Sequence, residues 1–297
     1  MQGRSLGHVA MALVMLAAQG TAAAADTNEP VPTLRACAAD DDMPFTNAAS
    51  QGFEDRLAAE LAAALGMKLE RVGFADPRYM VRDGIDQGRC DVMLGADAGD
   101  PRLLTGRPYY AANYVFLSRA QDRLALQDWD SPALASARLG VIPGTPAETM
   151  LTQIGRHADS FNYMMSLGGH KAMRNRFVRY DVEKLVRDLA AGRIDVAVAW
   201  APAVARYVRD SPVPLAAVPV PDARKSNGEP VLFRYETAIG VKKGNEALLE
   251  RIEAAAARYR PRFDQVLAEQ GLPALGGRLA AIPAQTTAAA AERSTTQ

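Results

Sequence analysis

The feature that most limits how this chain can fold is a hydrophobic period that switches between strand-like and helix-like spacing, stops, and then begins again. Residues 33–38 (TLRACA) read as a short strand. In GFEDRLAAELAAALG, 52–66, Phe53, Leu57, Leu61 and Leu65 recur every four positions along one helix face, and Gly66 is placed to end the helix. MKLERVGF is a second strand, RYMVRDGIDQG a short helix with Gly88 near its end, and CDVMLGAD, 90–97, a strand with a continuous apolar centre. Parallel strands need a crossover element between them, usually a helix, so this alternation predicts a parallel sheet with helices on its faces.

PYYAANYVFLSRA, 108–120, predicts a long strand or strand pair, after which the alternation restarts. ARLGVIPGTPAETMLTQIG is strand, glycine-containing turn and helix; DVEKLVRDLAAGRIDVAVAWAPAVARYV is helix, strand, helix; PLAAVPVP is a strand. Beyond the polar loop DARKSNGEP, RYETAIGVKKGN (234–245) predicts one more strand. EALLERIEAAAARYRPRFDQVLAEQG is helical and expected to break at Pro261, which lacks the N–H a helix interior needs. From Ala274 the chain is rich in Ala, Thr and Gly with little periodicity and reads as a flexible tail. Two α/β units in series follow, with strand 110–118 leading out of the first and strand 234–241 leading back. A chain that crosses twice makes a two-stranded hinge and leaves a cleft at the carboxyl ends of the parallel strands. The lobes are expected at 26–118 with 234–273, and at 119–233, with 274–297 as the tail.

The first residues predict export. Arg4 supplies a positive start, Val9 to Ala18 an apolar run too short to span a bilayer, and Ala23, Ala24 and Ala25 a small-residue cleavage site. Residues 1–25 therefore read as a signal peptide, with the mature chain beginning near Asp26 and expected to be soluble. Removing them takes away Arg4 and no acid, so the 34 basic and 34 acidic side chains become 33 and 34. That balance gives no bulk attraction to nucleic acid or to an anionic membrane. Cys37 and Cys90 are the two cysteines. In an oxidising compartment they form either a structural disulfide or two buried thiols, and their spacing does not decide between these. Together with His8, His157 and His170, which do not flank them, they make no tetrahedral zinc pattern. There is no G-x-S-x-G, HExxH, C-x-x-C or P-loop, so no catalytic constellation is expected.

The order of these motifs resembles the type II periplasmic solute-binding proteins. MPF (43–45), GFEDRLAAELAAALG, CDVMLG, PYY leading into YVFLSR, GTPAETML, GRIDVAVAW and ETAIGVKKGNEALL follow that family's order over most of 33–260. The resemblance implies an α/β protein of two Rossmann-like lobes joined by a two-stranded hinge. Residues 74–120, above all YMVRDGIDQGRCDV followed by GDPRLLT, are similar to the MoxJ/MxaJ group encoded with the quinoprotein methanol dehydrogenase. This second resemblance implies a periplasmic accessory protein of methanol oxidation, not itself an enzyme, whose partner is the dehydrogenase. Pyrroloquinoline quinone and a metal ion are the partner's cofactors, and none is implied for this chain. The alternatives are the substrate-binding component of an ABC importer for a small polar solute and an enzyme on the same scaffold with Glu148 as its acid.

Five residues are candidates for the cleft. Arg102 stands where amino-acid-binding relatives hold an arginine that forks onto the ligand carboxylate; holding a turn is its other reading. Thr145 opens a helix of the second lobe, where it either binds an anion or caps the helix. Pro146 and Glu148 in the first turn favour the cap. Trp200 ends IDVAVAW where those relatives place an aspartate for the ligand ammonium, so an ordinary amino acid is not the expected ligand. The indole either lines the cleft or packs. Asp42 closes the run Asp40 to Asp42, which lacks the spacing of a calcium loop and is expected to be a solvated turn at the cleft rim. Tyr110, beside Tyr109, is expected in the packing of the hinge.

Overall fold

The computed structural model describes residues 31–164 and 180–272 together with a short strand at 278–279; the expected signal peptide, His170 and most of the expected tail lie outside the described residues. After β1 (Thr33–Ala39), a small turn pairs β2 (Asp41–Asp42) with β3 (Thr46–Asn47) around a cis Met43–Pro44 bond. It leads into α1 (Phe53–Leu65), whose first turn is pinned by Asp55. That carboxylate accepts the N–H of Gly52 at 3.0 Å and of Asn47 at 3.1 Å. Gly66 ends the helix at φ 67°, a left-handed conformation that glycine enters without steric cost. The predicted stripe is the buried one: Phe53, Leu57 and Leu61 face the core and Leu65 is half-buried. Each fully buried side chain of this size stabilises the fold by roughly 1.5–3 kcal/mol.

β4 (Lys68–Phe74) follows, and the α-helix expected next is not formed. A 3-10 turn at Pro77–Tyr79 runs instead into a π-helical segment at Met80–Ile85. This segment lies on the bridge between Cys37 and Cys90, whose Cα atoms are 5.4 Å apart, so the two cysteines are bonded rather than free. A Cβ on Gly84 would stand 2.5 Å from the Cys37 Sγ, and packing against the bridge overrides the local helical period here. Phe74, Val81, Ile85, Met93 and Leu103 complete this small core.

β5 (Val92–Asp97), β6 (Leu104–Thr105) and the long β7 (Tyr110–Arg119) come next. The second unit contains β8 (Leu139–Val141), α2 (Pro146–Gln153), β9 (Phe161–Asn162), α3 (Val182–Ala190), β10 (Val196–Trp200), α4 (Ala201–Arg209) and β11 (Leu215–Pro219). After the hairpin of β12 (Ala223–Arg224) and β13 (Pro230–Val231), β14 (Arg234–Val241) returns the chain to the first sheet. Helices α5 (Glu246–Ala254) and α6 (Ala256–Glu269) and the strand β15 (Arg278–Leu279) follow.

The expected double crossing is visible in the pairing. In the first sheet β1 runs parallel to β4 and to β5, and β14 runs antiparallel to β5. In the second, β8 is parallel to both β10 and β9. β7 belongs to both sheets. Tyr110 to Asn113 pair antiparallel with Thr237 to Arg234, whereas Tyr114 to Ser118 pair antiparallel with Trp200 to Val196, and β11 closes its other side. The chain therefore changes sheets between Asn113 and Tyr114, inside one strand, and β14 begins at the same junction, with Arg234 opposite Asn113. The fold is the two-lobed α/β arrangement that the motif order implied.

Two further expectations change. The C-terminal helical stretch breaks at Ala255, and Pro261 lies inside α6. Restarting at Ala256 puts the carbonyl that Pro261 leaves without a donor, that of Ala257, in the first turn, where it is freest to tilt away from the proline ring. Within the expected tail, Arg278 and Leu279 pair with Ala111 and Tyr110, so a strand exists where none was predicted. Among the described residues no helix is long and apolar enough to cross a membrane.

Candidate functional site

The two crossing strands form the floor between the lobes. Strand side chains alternate faces, so Tyr110 and Tyr114 of β7 and Tyr235 and Thr237 of β14 fall on one side. The register sets Tyr110 opposite Thr237 and Tyr114 opposite Trp200, the last residue of β10. All five line one cavity of about 370 Å³, together with Asp42, Phe45, Glu54, Met80, Met93, Leu94, Gly95 and Asp97. Tyr114, Trp200 and Tyr235 form an aromatic triad, with ring centroids 5.4 Å, 5.8 Å and 6.3 Å apart and planes tilted or edge-on. Such offsets let rings pack without opposing their π faces.

The acids come from the first lobe. Glu54 stands in the first turn of α1 and its carboxylate lies over Gly95, where a Cβ would be 2.4 Å from Oε1. Burial, reinforced by Asp42 and Asp55, pushes Glu54 up to about 8. Burial beside Asp41 pushes Asp42 up to about 6. Asp97, at the carboxyl end of β5, is also raised by burial and by Asp100, with Arg102 opposing. The phenols of Tyr110 and Tyr114 are held well above their ordinary value, chiefly by burial; Glu54 and Asp97 add to this at Tyr110, and Tyr235 and Asp97 at Tyr114. Among the described residues no lysine, arginine or histidine lines the cavity.

The predicted site residues divide cleanly. Trp200, Asp42 and Tyr110 meet in the cavity. Asp42 is therefore a desolvated acid of the cavity rather than a solvated rim turn. Tyr110 is both hinge packing and cavity lining, with its ring 5.1 Å from that of Tyr109. Arg102 does not line the cavity. Its side chain is 63 % exposed and grips Asp100 through Nη2 at 2.7 Å and Nε at 3.1 Å, while its N–H donates to the same carboxylate at 2.8 Å. The turn-holding reading fits it. Thr145 occupies the cap position of α2, but its hydroxyl donates to the Ile142 carbonyl at 2.7 Å and caps no helical N–H. Glu148 covers that helix start instead, accepting from the Gly144 N–H at 2.7 Å and lying 3.0 Å from His157 Nε2. These contacts hold Glu148 below its ordinary value, the opposite of what a proton-donating acid requires.

Glu54, Asp97, Tyr114, Tyr235 and Thr237 were not singled out from the sequence. Position alone could have found two of them. Glu54 opens the helix after β1 and Asp97 ends a parallel strand, the places from which an open α/β sheet presents ligand groups.

No family model matches the chain. Protein MoxJ of Methylorubrum extorquens is 40% identical over 261 residues, covering 86% of this chain and 87% of the relative. The crystal structure of MxaJ from Methlophaga aminisulfidivorans MPT superposes with a TM-score of 0.74 at 38% identity, over 81% of this chain and 99% of that one. The periplasmic binding protein XoxJ from Methylobacterium extorquens AM1, at 23% identity, a TM-score of 0.61 and coverage of 84% and 99%, shares the fold. The chain belongs to the MoxJ/MxaJ family, built on the type II periplasmic solute-binding fold.

Proposed function

We propose that this protein is a periplasmic, non-catalytic accessory of methanol oxidation that contacts quinoprotein methanol dehydrogenase and supports its assembly or activation. The observation that carries the reading is the likeness to MoxJ, 40% identical along 86% of the chain. In this reading the exported chain begins near residue 26, and the first lobe, expected to end at 118, gives way to the second at the sheet change between Asn113 and Tyr114 and resumes at 234. The importer-receptor alternative loses its sequence basis, because Arg102 is held by Asp100 outside the cavity. The enzymatic alternative loses its acid, because Glu148 is tied to Gly144 and His157 and does not line the cavity.

The test is a pull-down with the tagged protein from the periplasm of methanol-grown cells, paired with dehydrogenase assays in a deletion strain. Co-recovery of the dehydrogenase and loss of its activity on deletion are expected. Full activity in the deletion strain with no dehydrogenase recovered would overturn the reading.

A further inference from the structure

We propose that the cavity between the lobes is a receptor site for a small organic cation, an ammonium ion on a short apolar stem with no carboxylate of its own. The inference is independent of any role toward a dehydrogenase and stands or falls on the cavity alone.

Three carboxylates line that cavity from three separate elements: Asp42 from β2, Glu54 from α1 and Asp97 from β5. Among the described residues none of the three side chains has a hydrogen bond or an ion pair. Three other carboxylates of the protein are bound, although the Asp264 Oδ1 is buried without a partner. Asp55 takes two N–H groups, Asp91 takes the Arg35 guanidinium, and Asp188 takes Lys184, Arg193 and the Tyr163 hydroxyl. Asp42 and Glu54 are half-buried and Asp97 lies at the exposed rim, and carboxylates drawn partly out of water without partners cost free energy that an entering cation would recover.

The rest of the lining suits the same guest. Tyr114, Trp200 and Tyr235 supply three aromatic rings, and a cation within about 6 Å of a ring centroid is drawn to its π electrons. Phe45, Met80, Met93 and Leu94 supply apolar surface for a stem. A ligand carboxylate would find three acids and, among the described residues, no basic side chain in the lining, so an amino acid is disfavoured at the end where it carries its negative charge. A bare metal ion fits less well. Among the described residues no group of three or more His, Cys, Asp or Glu side chains is arranged to hold one.

The probe is n-butylammonium, titrated calorimetrically into the full mature protein, with n-butanol and butyrate as the neutral and anionic isosteres. Saturable binding of n-butylammonium is expected, with both isosteres about tenfold weaker or worse. Glu54→Gln and Asp97→Asn should each weaken n-butylammonium by about tenfold, a difference of about 1.4 kcal/mol. Trp200→Leu should weaken it while Trp200→Phe, which keeps a ring, retains most of the affinity. Circular dichroism establishes that each variant is folded, and Asp97→Asn serves if Glu54→Gln is not. Absence of n-butylammonium binding, equal binding of n-butanol, or undiminished binding by the folded acid variants would each overturn the proposal.

Discussion

Glu54 stands at the second position of α1, where the positive end of a helix favours an ionised carboxylate, and it nonetheless keeps its proton to about 8. Desolvation outweighs the helix, with Asp42 and Asp55 adding to it. Between its ordinary 4.5 and about 8 the folded chain binds one more proton at this site than the unfolded chain does. Stability from Glu54 is therefore fully present below the lower value and is lost as pH rises through the upper one, by at most about 1.4 kcal/mol per pH unit. Glu54→Gln, whose amide does not titrate, should melt above the wild type at pH 8 and lose that advantage near pH 5. Thermal melts at the two pH values check this; an equal gain at both would mean that the effect is not electrostatic. None of this is legible in GFEDRL alone. The environment of Glu54 is made by Asp42, twelve residues earlier, and by Gly95, forty-one later, and their meeting is a property of the fold. Trp200 was legible because a strand end in a parallel sheet points at the cleft whatever surrounds it. Arg102 stayed open between a ligand fork and the holder of a turn, because an analogous slot does not say which carboxylate the guanidinium takes; here it takes Asp100.

Among the elements, strands and amphipathic helices were the most readable, because apolar spacing is a local property that burial then uses. The segment 77–85 was not, since its winding answers to a bridge formed by residues at 37 and 90. Spacing could not say whether those cysteines meet; β1 running beside β5 brings them together. The bridge closes a loop of 53 residues, so replacing both cysteines by alanine should lower the unfolding free energy by about 2–4 kcal/mol. Urea titration of the double variant measures it, and a loss well under 1 kcal/mol would mean that the bridge does little for the native state. Gly84→Ala should act in the same direction, because its Cβ would collide with Cys37 Sγ and Phe74.

For the whole molecule, the alternation and its restart were enough to order the lobes, but not to place the junction inside β7. A contiguous core runs from Leu34, Phe53 and Leu57 through Tyr110 and Val115 to Leu185 and Val204, so the lobes share buried surface. Shared strands and a shared core predict one cooperative unfolding transition. The two tryptophans make this checkable. Trp129 is buried in the second lobe and Trp200 lines the cleft, so their fluorescence ignores the interior of the first lobe, whereas far-UV circular dichroism reports both. The two urea curves should superimpose, and a separate dichroism transition would mean that the first lobe unfolds alone.

The double membership of β7 also constrains how such a protein can change over generations. A residue inserted between Asn113 and Tyr114 would leave the first sheet in register and turn every later side chain of the strand over, exchanging the faces of Phe116 and Leu117 in the second. Loops can lengthen or shorten without that penalty. Gaps among relatives should therefore gather outside 110–119, and the length of this one strand should drift more slowly than its composition.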